Sequence, residues 1–465
     1  MVRRILIAIG YTVLTIFLVA GTFLLVAYGN DYSYDFNTHK VIQNGHIIID
    51  SLPTGITVTA DNKVLKHKTP YQAAYKVGFH SFSLGKDGFI TWHKVLQVIA
   101  GRVTLARYVI MMPVKPEKKT LDTKSQVVAE SISKDHRHLA YVTGGPDQAV
   151  YTLDLGNPKP VKLYAPPAVT PATPAETLTG VTWSDEASHV LISSTADGQP
   201  VYRLAAASGG EPANLTDQSK MNFSGMQFSD SNWRQLYWIS ADGLRRLDTD
   251  SQTVSPVLAD NVSQFWVIPG DRVLYVQQTE LGRSLWSLDG HGHHQELIQA
   301  LAESESYSVA YTSYNGADEL AVVPSKTQTG TLYTGIFGDT PVAKVIAKEV
   351  AACSFSPDGH LLVFSAPSKM LTYDLEQSEL NNRFVSYEIS DQPGSLSALS
   401  WYDNYHLLAN RGGELYWSEY DGANRVDIGP VSSNFPAYGS ADLKSLVYFK
   451  PEAQAVKVVQ EIIKP

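Results

Sequence analysis

Residues 353–376, CSFSPDGHLLVFSAPSKMLTYDLE, are the most informative segment of this chain of 465 residues. Its first run ends in the turn sequence Phe355-Ser356-Pro357-Asp358-Gly359, after which come an apolar run, a second turn and a Tyr-containing run. Asp-Gly between two apolar runs is typical of a tight β-hairpin. The same order of strands and Asp-containing turns recurs through residues 126–465, so this stretch is one unit of a repeat.

Eight copies of the unit follow one another. The marker residues of their first strands are Ile132, Trp183, Phe228, Trp266, Tyr311, Phe355, Trp401 and Tyr438. The spacings between these markers are 51, 45, 38, 45, 44, 46 and 37 residues. A period of about 40–50 residues with three to four strands is typical of β-propeller blades, because one blade cannot bury both of its faces alone. We predict an all-β chain with a propeller of eight blades, or of seven with strand exchange between the termini.

The sequence Phe355-Ser356-Pro357-Asp358-Gly359 resembles the blade signature of TolB-like propellers, which are WD-repeat-like rings. Trp183-Ser184-Asp185 and Phe228-Ser229-Asp230 are degenerate copies of it. The resemblance covers residues 126–465 and implies structural roles for these residues. The aromatic side chain packs one blade on the next, and the Asp-Gly pair forms the hairpin turn.

The N-terminus carries a long apolar run. Residues 5–28, ILIAIGYTVLTIFLVAGTFLLVAY, are 24 residues without a charge. As a helix they reach about 36 Å, enough to cross a hydrocarbon core of about 30 Å. Arg3 and Arg4 precede the run and Asp31 follows it, which places the N-terminus in the cytoplasm. We expect residues 1–29 to be a cytoplasmic stub and a retained single-pass anchor in the lipid bilayer of the cell membrane, with a cleaved export signal as the alternative.

Residues 30–115 contain short alternating runs between turn sequences, which predicts a small antiparallel β domain over 41–115. This segment resembles the PEGA domain, an extracytoplasmic β module. The residues that carry the resemblance are Ile49-Asp50-Ser51-Leu52-Pro53, Gly55, Asp61, Thr69-Pro70, Val77-Gly78-Phe79-His80, Gly88-Phe89 and Trp92. The family's Pro-Glu-Gly-Ala stretch is here Leu52-Pro53-Thr54-Gly55-Ile56, so its Glu and Ala are replaced. The resemblance implies a surface-proximal or wall-proximal spacer or binding module and no activity.

The formal net charge of −9 at pH 7 hides a division along the chain. Residues 30–119 carry 12 basic and six acidic residues, or +6, whereas residues 120–465 carry 23 basic and 40 acidic residues, or −17. The lysines of the β domain are Lys63, Lys66, Lys68, Lys76, Lys86 and Lys94. They suit contact with anionic lipid headgroups or an anionic wall polymer, or simply keep edge strands from pairing. The chain has no uniform basic surface, which excludes nucleic acid as a partner.

Between the two predicted domains lies the polar sequence PVKPEKKTLDTKS, residues 113–125. Its two prolines and its charges predict an exposed, semi-rigid linker. The resulting division is an anchor over 1–29, a PEGA-like β domain over 30–115, a linker over 116–125 and a propeller over 126–465.

No catalytic, cofactor-binding or metal-binding residue is assigned from the sequence. Hydrolase elbow, Walker, Rossmann and HExxH patterns are absent, and the single Cys353 excludes zinc ribbons and CxxC redox chemistry. Three kinds of local group have suitable side chains: histidines for a metal, aspartates for calcium, and acidic pairs for glycoside hydrolysis. They are His291, His293 and His294; Asp248 and Asp250; and Asp185 with Glu186 and Glu303 with Glu305. We interpret the histidines as part of a solvated loop between blades. The aspartates resemble a fragment of a calcium loop but lack its full pattern, and sequence spacing does not give the separation of the acidic pairs in the fold.

These features predict a non-enzymatic, membrane-anchored, extracytoplasmic binding or scaffold protein of the cell envelope. Its propeller presents a recognition surface to a protein or a polysaccharide, because a rigid ring can hold variable loops. One alternative is an envelope hydrolase or lyase that acts on carbohydrate in the propeller channel, which requires convergent carboxylates there. Another is the extracellular subunit of a sensor or transporter, which requires a small or polar face on the membrane span.

Overall fold

The apolar run at the N-terminus is one helix, α1 (Val2–Gly29). Its segment Ile7–Gly29 is long and apolar enough to cross a membrane, and its most apolar window is not buried against the rest of the protein. Aliphatic and aromatic side chains such as Leu14 and Phe17 therefore stand exposed along the helix. An exposed apolar helix at this position fits a signal anchor or a signal peptide.

The computed structural model describes residues 2–35, 39–168, 175–216, 224–280, 282–293, 295–338, 341–381, 384–390, 394–453 and 455–463. The chain divides into two compact units. Unit 1 comprises Met1–Pro116 with Ile463–Pro465, and unit 2 comprises Glu117–Ile462.

After α1, unit 1 folds into a hairpin and two β-sheets. The hairpin consists of β1 (Tyr32–Asp35) and β2 (Lys40–Gln43). The remaining strands are β3 (Gly45–Leu52), β4 (Thr57–Ala60), β5 (Lys63–Lys68), β6 (Tyr71–Tyr75), β7 (Gly78–Gly85), β8 (Trp92–Val98) and β9 (Val103–Ile110). They form a three-stranded sheet of order β6-β3-β9 and a four-stranded sheet of order β5-β4-β7-β8. The alternating inward residues of both sheets share one core that includes Ile47, Val58, Phe82, Trp92 and Val109.

The topology of unit 1 corrects one expectation. β3 and β9 pair in parallel, with His46 opposite Val103, whereas the sequence predicts a wholly antiparallel domain. The chain passes through the other sheet between these two strands, so β9 returns in the same direction as β3. β5 and β6 are further strands that alternation did not predict, because β5 is rich in lysine and only partly buried at Leu65.

Unit 2 consists of eight four-stranded antiparallel sheets in its described residues, which are the blades of a β-propeller. Blade 1 holds β11 (Val127–Ile132), β12 (His138–Thr143), β13 (Val150–Asp154) and β14 (Val161–Tyr164). Blade 2 holds β15 (Glu176–Trp183), β16 (His189–Ala196), β17 (Gln199–Ala206) and β18 (Ala213–Asn214). Blade 3 holds β19 (Ser224–Phe228), β20 (Gln235–Ser240), β21 (Gly243–Asp248) and β22 (Thr253–Val254). Blade 4 holds β23 (Val262–Ile268), β24 (Arg272–Thr279), β25 (Gly282–Asp289) and β26 (Glu296–Leu301).

The other four blades continue the pattern. Blade 5 holds β27 (Tyr307–Tyr314), β28 (Ala317–Pro324), β29 (Thr329–Thr334) and β30 (Val342–Lys348). Blade 6 holds β31 (Ala352–Phe355), β32 (Leu361–Ser365), β33 (Met370–Asp374), the helix α2 (Leu375–Asn381) and β34 (Ser386–Ile389). Blade 7 holds β35 (Leu396–Trp401), β36 (His406–Arg411), β37 (Glu414–Glu419) and β38 (Val426–Pro430). Blade 8 holds β39 (Tyr438–Gly439), β40 (Ser445–Glu452), β41 (Ala455–Ile462) and β10 (Glu117–Lys124).

The outer strand of blade 8 corrects the predicted linker. Residues 117–124 form β10, which pairs antiparallel with the C-terminal strand β41, with Glu117 opposite Ile462. The segment looks like a linker because it is polar and follows prolines. It is a strand because β41 offers an unpaired edge, and a lone apolar side chain, Leu121, enters the core between blades 8 and 1.

The ring is closed by apolar contacts between successive blades. The cluster between blades 8 and 1 includes Leu121, Tyr141, Phe435 and Phe449. Similar clusters join each blade to the next from blade 1 to blade 7. Blades 7 and 8 are joined where β35 contacts β39 and where Tyr402 Oη donates a hydrogen bond to the Leu443 carbonyl in the turn between β39 and β40. The propeller therefore has eight blades, and its last blade is completed by strand exchange between the termini of unit 2.

The repeated Ser-x-Asp turn has the structural role that its pattern predicts. In blade 6, Ser356 Oγ donates to Asp358 Oδ1 at 2.8 Å and accepts the backbone N–H of Leu361 at 3.1 Å. Blade 1 repeats the first bond between Ser133 and Asp135, and blade 8 repeats it between Ser440 and Asp442. These side chains satisfy the polar backbone of the turn from the first to the second strand of the blade.

Candidate functional site

A groove of about 520 Å³ lies between blades 5 and 6, and we call it the blade 5/6 groove. Strands β28, β29 and β30 form one wall, and β33 with α2 forms the other. The side chains that give it chemical character are Tyr314, Glu319, Lys344, Tyr373, Glu379 and Phe384. Two inward-facing acids, three aromatic rings and one ammonium group thus surround one concave surface.

The ammonium of Lys344 lies against aromatic rings of the facing blade. Lys344 Nζ is 5.3 Å from the ring centroid of Tyr373 and 5.0 Å from that of Phe384. The two rings are 5.1 Å apart and tilted by 41° to each other. Lys344 Nζ also donates to Tyr373 Oη at 3.3 Å. A cation at this distance is attracted by the negative ring faces, so the groove already holds one cationic group.

The two carboxylates of the groove accept hydrogen bonds from neutral groups. Thr334 Oγ1 donates to Glu319 Oε2 at 2.8 Å, and Asn315 Nδ2 donates to Glu379 Oε2 at 3.2 Å. Within the described residues, neither carboxylate forms an ion pair. Glu319 is only 5% exposed, and this burial raises the pKa of its carboxyl. The exposed carboxylate of Glu379 can therefore accept further hydrogen-bond donors and positive charge, and Glu319 can accept further hydrogen bonds.

The helix α2 shapes one wall of the groove. Asp374 caps its N-terminus, because Asp374 Oδ1 accepts the backbone N–H of Gln377 at 2.8 Å. Burial raises the pKa of Asp374 to about 6 despite this bond. At the other end, the backbone N–H of Val385 donates to Ser378 Oγ at 2.9 Å. This bond brings the chain back to the helix and fixes the position of Phe384.

The innermost strands of the propeller carry few acids. The first strands of neighbouring blades contact one another, as β11 contacts β15 and β27 contacts β31. Their described residues include only two carboxylates, Glu130 and Glu176. Glu176 accepts hydrogen bonds from Ser194 at 2.5 Å and Tyr164 at 2.8 Å and pairs with Arg203. Glu130 accepts one from Tyr438 of blade 8. The two carboxylates are held by different blades and do not converge.

The acidic pairs considered from the sequence lie in separate surroundings. Lys134 Nζ is 2.5 Å from Asp185 Oδ2 and 3.5 Å from Asp230 Oδ1, so one lysine of blade 1 bridges acids of blades 2 and 3. Glu186 is exposed beside them. Glu303 Oε1 lies 3.4 Å from Arg283 Nε. Asp185 and Asp230 also lie within reach of each other. Burial, and after it the contact with Asp230, raises the pKa of Asp185 although Lys134 opposes the rise. Two acids of neighbouring blades therefore meet at Lys134, whereas Glu303 neutralises a nearby cation.

The metal candidates are turn residues. Asp289 Oδ1 accepts the backbone N–H groups of His291 at 3.0 Å and His293 at 2.7 Å, and His294 lies outside the described residues. Asp248 Oδ1 accepts the backbone N–H of Ser251 at 2.9 Å, and Asp250 pairs with an arginine. Across the part of the chain that the structure describes, no group of three or more His, Cys, Asp or Glu side chains is placed to hold a metal ion.

The lysines of unit 1 gather partly around a recess. Lys63, Lys66 and Lys68 lie on β5, an edge strand, where charge also prevents pairing with another sheet. Lys68 and Lys86 line a polar recess of about 590 Å³ together with Thr57 and one acid, Asp87. Lys86 Nζ is 5.3 Å from the centroid of the Phe89 ring. Neither lysine of the recess has an ion-pair partner in the described segments.

The residues of the blade 5/6 groove are not among those that sequence reasoning selected. These residues come from the turn between β27 and β28, from strands β28 to β30 of blade 5, and from β33 and the inserted segment of blade 6 that contains α2. No regular spacing in the sequence relates them. One signal was present: the insertion LEQSELN between β33 and β34 reads as helix in an otherwise all-β repeat. This helix makes blade 6 different from the other blades, which indicates a local structure beyond the repeat.

Comparisons with known proteins agree in architecture only. No protein-family model and no curated protein matches the chain. Among solved structures, it is similar to the Dos1 propeller, at 11% identity and a TM-score of 0.48, covering 74% of this chain and 95% of that one. It is also similar to Saccharomyces cerevisiae Sqt1, at 9% identity and a TM-score of 0.48, covering 75% and 97%. A third is an oligogalacturonate lyase in complex with manganese, at 10% identity and a TM-score of 0.44, covering 75% and 93%.

These neighbours do not decide function, because the identities are low and the TM-scores are below about 0.5. The propeller is established by the sheet order and the ring closure of this chain. Since no family model matches, the resemblances to the PEGA domain and to TolB-like propellers remain proposals.

Proposed function

We propose that this protein is a membrane-anchored, extracytoplasmic binding protein of the cell envelope, whose propeller receives a partner at the blade 5/6 groove. The groove carries the proposal. It is concave, combines aromatic rings with charged side chains, and has two carboxylates without cationic partners among the described residues. Binding sites commonly combine apolar walls with a few placed polar groups in this way. The partner is a protein or a polysaccharide presented in the envelope.

In this proposal, α1 is a retained signal anchor, single-pass with its N-terminus in the cytoplasm. The PEGA-like unit 1 contacts an anionic surface through the recess of Lys68 and Lys86. Two ammonium groups without carboxylate partners support this role, because each lysine near an anionic surface contributes about 1 kcal/mol. Lipid headgroups and an anionic wall polymer both present the phosphate or carboxylate groups that such a recess accepts.

A binding role is favoured over the enzyme alternative. A channel hydrolase or lyase needs convergent acids that are open to a substrate. The described innermost strands hold Glu130 and Glu176 in separate hydrogen-bonded positions. The two carboxylates that do meet, Asp185 and Asp230, are bridged by the ammonium of Lys134. The sensor or transporter alternative needs a small or polar face on α1 that pairs with another helix. Thr12 and Thr15 donate to carbonyls of their own helix, at 2.9 and 2.8 Å, which leaves those hydroxyl protons engaged.

Photo-crosslinking in cells that produce the full chain tests the groove. A photoreactive residue in place of Leu380, which is 58% exposed on α2, is expected to capture a defined partner. The matched control places the same residue at Val161, 40% exposed on the outer strand of blade 1. Capture at Leu380 that Phe384→Ala abolishes supports the proposal. Equal capture at both positions, or capture at neither, contradicts it.

Co-sedimentation of the full chain held in neutral lipid nanodiscs tests unit 1 separately, without detergent that would dissolve the vesicles. We expect salt-sensitive pelleting with anionic vesicles or with cell-wall material, and the two arms distinguish the source of the anion. Combined Lys68→Ala and Lys86→Ala substitutions should reduce pelleting more than Lys63→Ala, which changes an exposed lysine outside the recess. Equal losses from both changes would mean that the recess itself has no part in binding.

A further inference from the structure

We propose that the blade 5/6 groove binds the ammonium group of a lysine side chain on a partner protein, in the place that Lys344 of this chain occupies. The inference rests on the proposed function, since it names the chemistry of the partner. Lys344 Nζ lies 5.3 Å from the Tyr373 centroid and 5.0 Å from the Phe384 centroid. The aromatic rings of the groove thus contact an ammonium group, which Lys344 on β30, the outer strand of blade 5, supplies.

Lys344 is held weakly enough to be displaced. Its ammonium makes a hydrogen bond of 3.3 Å to Tyr373 Oη and has no carboxylate partner among the described residues. Lys344 is exposed on β30, so its side chain can turn into solvent without losing buried contacts. A second ammonium cannot share the ring faces with it, because like charges repel at this distance. Lys344 therefore competes with any cationic ligand.

The rest of the groove favours a cationic ligand over a neutral or anionic one. Glu319 and Glu379 face the same space and are paired only with neutral donors. An incoming lysine of the partner takes over the contacts that Lys344 makes with the Tyr373 and Phe384 rings. The backbone N–H groups of the partner next to that lysine can donate hydrogen bonds to these carboxylates. Residues 120–465, which make up nearly all of the propeller, carry a net charge of −17, which attracts basic segments to the propeller.

A protein segment fits better than a free amine. The groove volume of about 520 Å³ exceeds what one lysine head group fills. Phe384, one of the lining side chains, is 44% exposed, and Leu380, which follows the lining residue Glu379 on α2, is 58% exposed. Apolar residues that flank a lysine in a partner can cover these side chains, whereas a small amine leaves them in water.

Fluorescence anisotropy with the full chain in detergent micelles tests the inference. The probe is a fluorescein-labelled pentapeptide with one lysine between two leucines, and the control peptide has norleucine in place of lysine. We expect Lys344→Met to tighten binding of the lysine peptide at least about three-fold, because it removes the competing charge and keeps an aliphatic stem. Phe384→Ala and Glu379→Gln, both at exposed positions, should each weaken it at least about three-fold. Lys348→Met is the matched control, on the same strand and outside the groove.

The direction of the Lys344→Met effect decides the outcome. Unchanged or weaker binding by that variant overturns the inference, and so does equal binding of the norleucine peptide. Capture of a partner at Leu380 without lysine-dependent peptide binding overturns this inference and leaves the proposed function standing. Failure of both experiments overturns both.

Discussion

Tyr438 Oη donates a hydrogen bond of 2.8 Å to Glu130 Oε1, and this bond joins the innermost strands of blades 8 and 1 across 308 positions of sequence. The second oxygen, Glu130 Oε2, is buried and has no hydrogen-bond partner in the described part of the chain. Burial raises the pKa of Glu130 to about 7, although the bond from Tyr438 opposes this rise. The contact between blades 8 and 1 therefore contains a carboxyl group whose pKa lies near neutral pH.

The first prediction concerns pH and stability. The native state holds the Glu130 proton more tightly than the unfolded chain, whose pKa is near 4.5. The contribution of this group to the free energy of unfolding therefore falls as pH rises from about 4.5 to about 7. Glu130→Gln removes the charge and should raise the free energy of unfolding above pH 7 by roughly 1–3 kcal/mol, with little effect near pH 4. Urea unfolding of the full chain at several pH values measures this.

Glu414→Gln is the control for this prediction, because Glu414 is an exposed carboxylate on blade 7. It should leave the pH dependence unchanged. If the unfolding curves of Glu130→Gln and the unsubstituted protein run parallel across the pH range, Glu130 does not titrate in the folded ring.

The second prediction concerns ring closure by β10. Leu121 is 8% exposed and packs in the cluster that joins blades 8 and 1. Leu121→Ala should lower the free energy of unfolding by about 2–3 kcal/mol and release β10 from the edge of β41. Limited proteolysis should then cut within residues 117–124 well before the rest of the propeller. Lys119→Ala, an exposed change in the same strand, should not alter the cleavage pattern, and equal protection in both variants would show that Leu121 does not hold the strand.

The third prediction concerns the turn of blade 6. Gly359 has a φ of +82°, and a Cβ there would lie 2.4 Å from Thr312 Oγ1 of blade 5. Gly316 has a similar φ of +76° with nothing within 4 Å of its Cβ position. Gly316→Ala should therefore cost about 1 kcal/mol of stability from backbone strain alone, and Gly359→Ala should cost about 1–3 kcal/mol more.

Thermal denaturation of the two glycine variants compares the cost of backbone strain, which both share, with the cost of the steric clash with Thr312, which only Gly359→Ala has. Adding Thr312→Ala should recover part of the loss in Gly359→Ala, because it removes the crowded atoms. The same addition to Gly316→Ala should recover nothing. Equal losses at the two glycines would mean that blade 5 makes room for the extra methyl group.

The fourth prediction concerns the proposed anchor. If α1 is retained, the intact mass of protein extracted from membranes includes residues 1–29, and the protein stays with the membrane after a carbonate wash. The most apolar window of α1 is not buried against the rest of the protein, which fits either a signal anchor or a signal peptide. A mature mass that begins near residue 30 would instead identify the segment as a cleaved signal.

Much of the fold could be predicted from local sequence. The Ser-x-Asp and Asp-Gly turns repeat because each hairpin needs the same side-chain hydrogen bonds and the same backbone conformation, as at Ser356 and Gly359. Trp183 could be placed between two blades because it occupies the marker position of the second repeat. In the structure, Trp183 Nε1 donates a hydrogen bond of 3.1 Å to the Ser131 carbonyl of blade 1. The parallel pairing of β3 with β9 in unit 1 could not be predicted, because alternation does not report strand direction.

The residues of the blade 5/6 groove could not be predicted from the repeat period or from the turn sequences. Lys344 and Tyr373 are 29 positions apart and belong to different blades, yet the Lys344 ammonium lies against the Tyr373 ring. Neither residue occupies a marker position of the repeat. Their approach depends on how two blades face each other and on the inserted helix α2.

The repeated β architecture, the apolar N-terminal helix and the opposite charges of the two domains follow from local periodicity and composition. Three features instead depend on the packed ring: β10 completes blade 8, Glu130 meets Tyr438, and Lys344 enters a groove lined by acids. Ring closure explains this difference. The edge of β41 and the faces of neighbouring blades become available only when all eight blades are packed, and polar residues such as those of β10 pair there without any local signal.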